Sequence, residues 1–466
     1  QLVYQNLKYP QRNYGAATTE DERFLILYES ESTSGTAIYY RDLSKKNMPF
    51  TLIAGGFDYE YGVVDNIGDQ LLVVTNNTAP RKKLVLIDPA KPDPKLWKTI
   101  IPEREDVLES VELAGDLLIS EYMQNATSKA YVYNLEGKFL HEMSLPGIGT
   151  LAGFSGKKGE NVAFFGYTSF TFPLTVYKYD VAKNISAVYT RPEIDFNPDD
   201  YEVKQIFYSS KDKTTIPMFL VYRKGIELNG KNPTLLYGYG GFNVSLTPSF
   251  SLSRLIFLEN GGVYALANIR GGGEYGEEWH KAGTKERKQN VFDDFIAAAE
   301  FLIAEKYTSP EKLAIMGGSN GGLLVGACIT QRPDLFKVAI PQVGVMDMLR
   351  YHKFTIGWAW ASDYGTSDTK EGFDYLISYS PLHNLKDSIA YPATLAFTAD
   401  HDDRVVPAHT FKFMATLQSK QSGDNPVLIR IDTKAGHGAG KPTTKLIEET
   451  TDLWSFVFFN LGMKFR

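Results

Sequence analysis

A repeat of about 46 residues constrains the N-terminal part of this chain more than any other feature. Four stretches end alike: Ile38-Tyr39-Tyr40-Arg41-Asp42, Leu84-Val85-Leu86-Ile87-Asp88, Ala130-Tyr131-Val132-Tyr133-Asn134 and Thr175-Val176-Tyr177-Lys178-Tyr179-Asp180. An earlier strand-like run precedes each one: Phe24 to Tyr28, Leu71 to Thr75, Leu117 to Ser120 and Val162 to Phe165. Alternating β-branched and aromatic residues suit strands, and the stretches between, such as Glu29-Ser30-Glu31-Ser32 and Thr75-Asn76-Asn77-Thr78, read as turns. A period in the forties is the signature of propeller blades, and its evenness disfavours an unrelated β-sandwich. Residues 1–190 are therefore expected to form about four blades, the low end for a closed ring.

The segment Arg191-Pro192-Glu193-Ile194-Asp195-Phe196-Asn197-Pro198-Asp199-Asp200 is rich in proline and acids and reads as a connection. From 201 to 466 strand patterns alternate with amphipathic helices. One helical face runs through Phe292, Phe295, Ile296, Ala299, Leu302 and Ile303. Another runs through Leu446, Ile447, Leu453, Trp454, Val457, Phe458 and Leu461. Such alternation predicts a mostly parallel, doubly wound α/β sheet.

Within that domain Met316-Gly317-Gly318-Ser319-Asn320-Gly321-Gly322 lies between a strand-like run, Lys312 to Met316, and a helix-like run from Leu323. This is the pattern of a nucleophile elbow, with Ser319 on the sharp turn and glycines where strand and helix pass too close for a Cβ. A helix N-terminus there favours developing negative charge. Serine is a weak nucleophile that needs a base, and the base needs an orienting carboxylate. In α/β-hydrolases the acid and then the histidine follow the serine. After the strand Thr394 to Thr398 comes Ala399-Asp400-His401-Asp402-Asp403-Arg404. After the strand Val427 to Ile431 comes Ala435-Gly436-His437-Gly438-Ala439-Gly440. His437, on a glycine-flanked loop, is the better base than His401, His409 or His141. Asp400, Asp402 and Asp403 remain equal candidates for the acid on pattern alone.

Five motifs together resemble the prolyl oligopeptidases: the elbow, Asp400-His401-Asp402-Asp403-Arg404-Val405-Val406-Pro407, the His437 loop, Tyr237-Gly238-Tyr239-Gly240-Gly241-Phe242, and Asn268-Ile269-Arg270-Gly271-Gly272-Gly273-Glu274-Tyr275-Gly276. The resemblance runs from about Tyr201 to the end, and more loosely over what precedes. It implies that Asp402 is the acid of the triad. It also implies that Tyr239 and the amide of Asn320 bind the oxyanion, and that Arg404 holds a substrate carbonyl. Trp360 would stack on a proline ring in a pocket completed by Phe242, Val345, Tyr364 and Val405. The expected activity is a serine endopeptidase cutting short peptides after proline through an acyl-enzyme, with no cofactor. The alternatives are a related oligopeptidase cutting after basic residues and an inactive fragment or binding scaffold. The family carries a seven-bladed propeller that filters access, so this chain reads as the C-terminal portion of a longer protein, monomeric when whole. Gln1-Leu2-Val3-Tyr4 reads as the tail strand of a preceding blade.

Gly271-Gly272-Gly273-Glu274-Tyr275-Gly276 also satisfies a dinucleotide fingerprint. However, Glu277-Glu278-Trp279-His280-Lys281 opens no clear apolar-faced helix behind it, so it reads as a loop with Arg270 structural. Composition removes other classes. Net charge is −6 with no basic block, which disfavours nucleic acid as a partner. The single cysteine, Cys328, permits no intrachain disulfide, and no metal-ligand motif is present. No stretch reaches membrane-spanning length. Cytoplasm is the favoured compartment, with periplasm or secretion open because the N-terminus reads as missing.

Overall fold

In the computed structural model, which describes residues 2–438 and 440–465, the chain divides into two compact units. One holds the residues up to Glu193 with Tyr275–Glu278. The other holds Ile194–Glu274 and everything from Trp279.

The first unit is four antiparallel four-stranded meanders. Their strands are β1 (Asn13–Thr18), β2 (Phe24–Ser30), β3 (Ala37–Asp42) and β4 (Thr51–Ala54); β5 (Tyr61–Ile67), β6 (Gln70–Thr75), β7 (Lys83–Ile87) and β8 (Lys98–Ile101); β9 (Val107–Ala114), β10 (Leu117–Gln124), β11 (Thr127–Asn134) and β12 (Phe139–Glu142); and β13 (Thr150–Ser155), β14 (Val162–Thr168), β15 (Thr175–Asp180) and β16 (Ile185–Thr190). These are propeller blades. The period-2 alternation of a strand explains their stacking. Leu71 and Val73 of β6 pack with Phe24, Ile26 and Ile38 of the first blade, while Leu72, between them, packs with Leu108 and Leu118 of the third. Likewise Leu118 faces one neighbour and Ile119 the other, where it meets Ala163 and Phe165 of the fourth blade.

The repeated acid or amide has a local cause. Oδ1 of Asp42, Asp88, Asn134 and Asp180 accepts from the amides of Ser44, Ala90, Lys138 and Lys183 at 2.8–3.0 Å. Each one ties down the turn after the third strand of its blade. A register shift recurs between the third and fourth strands of every blade, at Ile38/Tyr39, Leu84/Val85, Val132/Tyr133 and Val176/Tyr177. The repeat therefore includes a bulge that the sequence pattern did not reveal. Two expectations are corrected here. Glu29 and Ser30 belong to β2 and not to a turn, because they pair with Ala37 and Asn13. Leu2 to Tyr4 form no strand, and Gln1 lies outside the described residues.

The second unit is built on one eight-stranded sheet of β17 (Tyr201–Ser209), β18 (Thr215–Arg223), β19 (Thr234–Tyr237), β20 (Val263–Ala267), β21 (Leu313–Gly318), β22 (Val338–Gln342), β23 (Ala393–Ala399) and β24 (Val427–Asp432). The order is β17-β18-β20-β19-β21-β22-β23-β24. The first two pairings are antiparallel and the other five parallel, the sheet of an α/β-hydrolase. The helices are α1 (Leu252–Glu259), α2 (Glu277–Lys281), α3 (Gln289–Ala304), α4 (Asn320–Gln331), α5 (Ala361–Tyr364), α6 (Lys370–Tyr379), α7 (Ala408–Lys420) and α8 (Thr443–Leu461). Phe292, Phe295, Ala299 and Leu302 of α3 are fully buried. On α8 the apolar face holds from Leu453 to Leu461, but Leu446 and Ile447 are exposed. The first turns of that helix are thus not covered by the unit's own core.

Glu277–Lys281 is a helix after all, but of five residues. Arg270 is structural: Nε and Nη2 donate to Asp294 at 2.9 and 2.6 Å, and Nη1 donates to Asp212 at 2.5 Å. No helix is long and apolar enough to cross a membrane among the described residues.

Candidate active site

Each sequence-selected reactive residue follows a parallel strand, at the carboxyl edge where open α/β sheets place their chemistry. Tyr239 follows β19, Ser319 follows β21, Asp402 follows β23 and His437 follows β24. Ser319 occupies φ 56°, ψ −115°, a conformation that a non-glycine residue holds only when its surroundings force it. Its amide donates to the carbonyl of Gln342 at 2.8 Å, and its carbonyl accepts from Gly322 at 2.9 Å. A Cβ on Gly317 would come 2.4 Å from the carbonyl oxygen of Gly321. Gly318 has room for one, its nearest neighbour lying at 3.9 Å, so not every glycine before the serine is sterically required.

Asp402 is buried on the turn after β23. Its Oδ1 accepts from the amides of Arg404 and Val405 at 3.0 and 2.9 Å, and its Oδ2 meets Nδ1 of His437 at 2.7 Å. Asp400 instead pairs with His401 at 2.6 Å, and Asp403 is exposed. His437 and Ser319 line one cavity of about 260 Å³, together with Gln342, Phe397, Arg430 and Lys441. Among the described residues no hydrogen bond joins Ser319 Oγ to His437 directly. Ala439, in the loop that carries His437, lies outside the described residues.

The Tyr239 phenol lies close enough to Ser319 to feel it electrostatically. Burial and the charge of Asp363 raise the phenol above its ordinary 10, while Ser319 and Arg404 pull it back. The group is therefore a proton donor at neutral pH. Asn320, the first residue of α4, is buried, and its Nδ2 donates to the carbonyl of Tyr239 at 2.5 Å.

Residues 248–464 match the model of the prolyl oligopeptidase family, and residues 1–192 match the model of the prolyl oligopeptidase N-terminal β-propeller domain. A solved structure from a study of two prolyl endopeptidases superposes with a TM-score of 0.94 at 43 % identity, covering 99 % of this chain and 68 % of that one. The chain belongs to the prolyl oligopeptidase family. It is 49 % identical over 465 residues to a prolyl endopeptidase of Elizabethkingia meningoseptica, covering 100 % of this chain and 66 % of that protein. Prolyl oligopeptidase B of Galerina marginata, bound to a 35mer hydrolysis and macrocyclization substrate, superposes at TM-score 0.95 with 38 % identity, over 100 % of this chain and 66 % of that one. The chain spans about two thirds of the length of the curated relatives it matches.

In this member of the family Trp360, Val345, Tyr364 and Val405 lie in one buried cluster, with Phe242 packed against it. Phe242 meets Tyr364 edge-on at 5.2 Å. The Tyr351 ring lies parallel to that of Trp360, with centroids 6.1 Å apart and planes 9° from each other. Arg404 is exposed, and its charge reaches Tyr239.

Sequence motifs did not pick out Asp363 or His280. Asp363 Oδ2 accepts from the amide of Phe242 at 3.1 Å, and Oδ1 meets Nε2 of His280 at 2.6 Å. This pair holds Phe242 in its left-handed conformation, φ 57°. Partners 121 and 83 residues apart leave no local trace in a sequence.

Proposed function

We propose that the chain is a serine endopeptidase that hydrolyses short peptides on the C-terminal side of proline. The observation that carries this reading is Asp402–His437 at 2.7 Å beside a strained Ser319 in a shared cavity. Asp402 holds the imidazole with its Nδ1 proton inward, leaving Nε2 free to take the hydroxyl proton of Ser319. Ser319 Oγ attacks the carbonyl carbon. The resulting oxyanion is met by the Tyr239 hydroxyl and by the Asn320 amide at the start of the twelve-residue helix α4. The imidazolium returns its proton to the leaving amine, and water repeats the sequence on the acyl-enzyme.

Proline would suit the apolar surroundings of Trp360, Phe242, Val345 and Val405, because its ring has no N–H to satisfy. An arginine side chain would need an acid to pair with, and Asp363 is already engaged by His280 and by the Phe242 amide. Arg404 would take the substrate carbonyl before the proline. The names of the relatives, prolyl endopeptidase and prolyl oligopeptidase, support the same specificity.

Labelling tests the reading. A blocked prolyl diphenyl phosphonate should phosphonylate Ser319 with release of phenol, adding the mass of the reagent less one phenol to the tryptic peptide that contains Ser319, and Asp402→Asn should slow that labelling. Labelling elsewhere, or none by folded protein, would contradict it.

A further inference from the structure

Lys288 precedes α3 and is 1 % exposed. Burial favours its neutral form, pulling it from 10.5 down to about 8. Among the described residues no carboxylate lies in salt-bridge contact with it. Its Nζ donates instead to the carbonyl of Gly240 at 2.7 Å and to Oδ1 of Asn320 at 3.1 Å, and it lies over the ring of Tyr364 at 5.3 Å. Asp363 supports its charge from further away.

The two acceptors of Lys288 bracket Tyr239. Gly240 is the next residue, and Asn320, which accepts through Oδ1, donates through Nδ2 to the Tyr239 carbonyl at 2.5 Å. The Tyr364 hydroxyl donates to the same Oδ1 at 2.8 Å, so that oxygen has two donors and the amide has one possible orientation. The approach is close: a Cβ on Gly241 would come 2.7 Å from the Asn320 side chain.

We propose that Lys288 is a positioning residue that sets the spacing between the two oxyanion donors, the Tyr239 hydroxyl and the Asn320 amide. It does so by bridging the Gly240 carbonyl on one side and the Asn320 side chain on the other. The inference rests on the peptidase reading above. A buried, unpaired ammonium disfavours folding at neutral pH, so stability alone gives no reason to keep it. Three N–H donors on a stem that reaches both segments do give one, since an oxyanion site works only when its donors are fixed before charge develops.

The experiment compares the unsubstituted chain with Lys288→Met, Lys288→Arg, Tyr239→Phe and the Lys288→Met/Tyr239→Phe double variant. Substrates and ligands are a blocked prolyl chromogenic amide, a blocked prolyl aldehyde that forms a tetrahedral adduct with Ser319, and the prolyl acid product. In Lys288→Met, kcat should fall about 10- to 100-fold with KM within about twofold. Aldehyde affinity should fall by the same factor, and product affinity should not change. Lys288→Arg should recover part of the loss, and the double variant should lose less than the product of the single losses. The unfolding temperature of Lys288→Met should be no lower than that of the parent. Parent-like kcat in folded Lys288→Met would overturn the proposal. So would parallel loss of aldehyde and product binding, or multiplicative losses in the double variant. If the unsubstituted chain neither cleaves the amide nor binds the aldehyde, and Ser319→Ala is indistinguishable from it, the peptidase reading itself fails and this inference with it.

Discussion

Asp402 divides its carboxylate between two tasks: Oδ2 meets His437 Nδ1 at 2.7 Å, while Oδ1 accepts the amides of Arg404 and Val405. One oxygen anchors the acid to its turn and the other orients the base. Asp402→Asn can keep the anchor through its amide oxygen, but it presents an N–H to Nδ1 and so imposes the wrong tautomer. Steady-state kinetics should show kcat lower by about 10⁴-fold in a folded variant. Asp400→Asn and Asp403→Asn should stay within about threefold of the parent, because one is held by His401 and the other faces solvent.

Tyr239→Phe removes a single donor from the oxyanion site and leaves the ring in place. The expected loss is about 10² in kcat with little change in KM, measured on the blocked prolyl amide. A raised KM with kcat unchanged would mean that Tyr239 binds the ground state as strongly as the transition state.

The elbow makes a stability prediction. A Cβ on Gly321 would come 2.7 Å from the Gly238 carbonyl oxygen, whereas one on Gly318 meets nothing closer than 3.9 Å. Gly321→Ala should destabilise the second unit by about 1–3 kcal/mol, and Gly318→Ala should leave thermal unfolding almost unchanged. Activity is a separate readout, since both flank Ser319.

These contrasts mark what a sequence can carry. The elbow was legible because strand, turn and helix are contiguous, and the blades because their turn-tying residues recur at an even spacing. Asp402 could not be separated from Asp400 and Asp403 by pattern. The choice among them is made by the turn after β23, which aims one carboxylate at a loop 35 residues further on. Lys288, Asp363 and His280 were missed because their partners lie 32 to 121 residues away and the residues themselves sit in no motif. The exposed Leu446 and Ile447 show the converse: a helical apolar period continued past the part of α8 that the core covers.

Glu121 on β10 gives the propeller unit a pH dependence. Burial raises its carboxyl from 4.5 to about 7, with Ser128 and Ser110 donating to it at 2.9 and 3.3 Å. The folded state therefore binds a proton more tightly than the unfolded chain. The stabilisation is complete below 4.5 and is lost as pH rises through about 7. Glu121→Gln should flatten this slope, by on the order of 1–3 kcal/mol between about pH 4.5 and 7.5, in denaturant unfolding followed at several pH values. A slope unchanged by the substitution would place its origin elsewhere.

The most direct test of the whole account is hydrolysis of two blocked chromogenic dipeptides, one ending in proline and one in arginine, with Ser319→Ala alongside. The account predicts cleavage of the proline substrate alone, abolished in Ser319→Ala. Cleavage of the arginine substrate, or proline cleavage that survives the loss of Ser319, would contradict it.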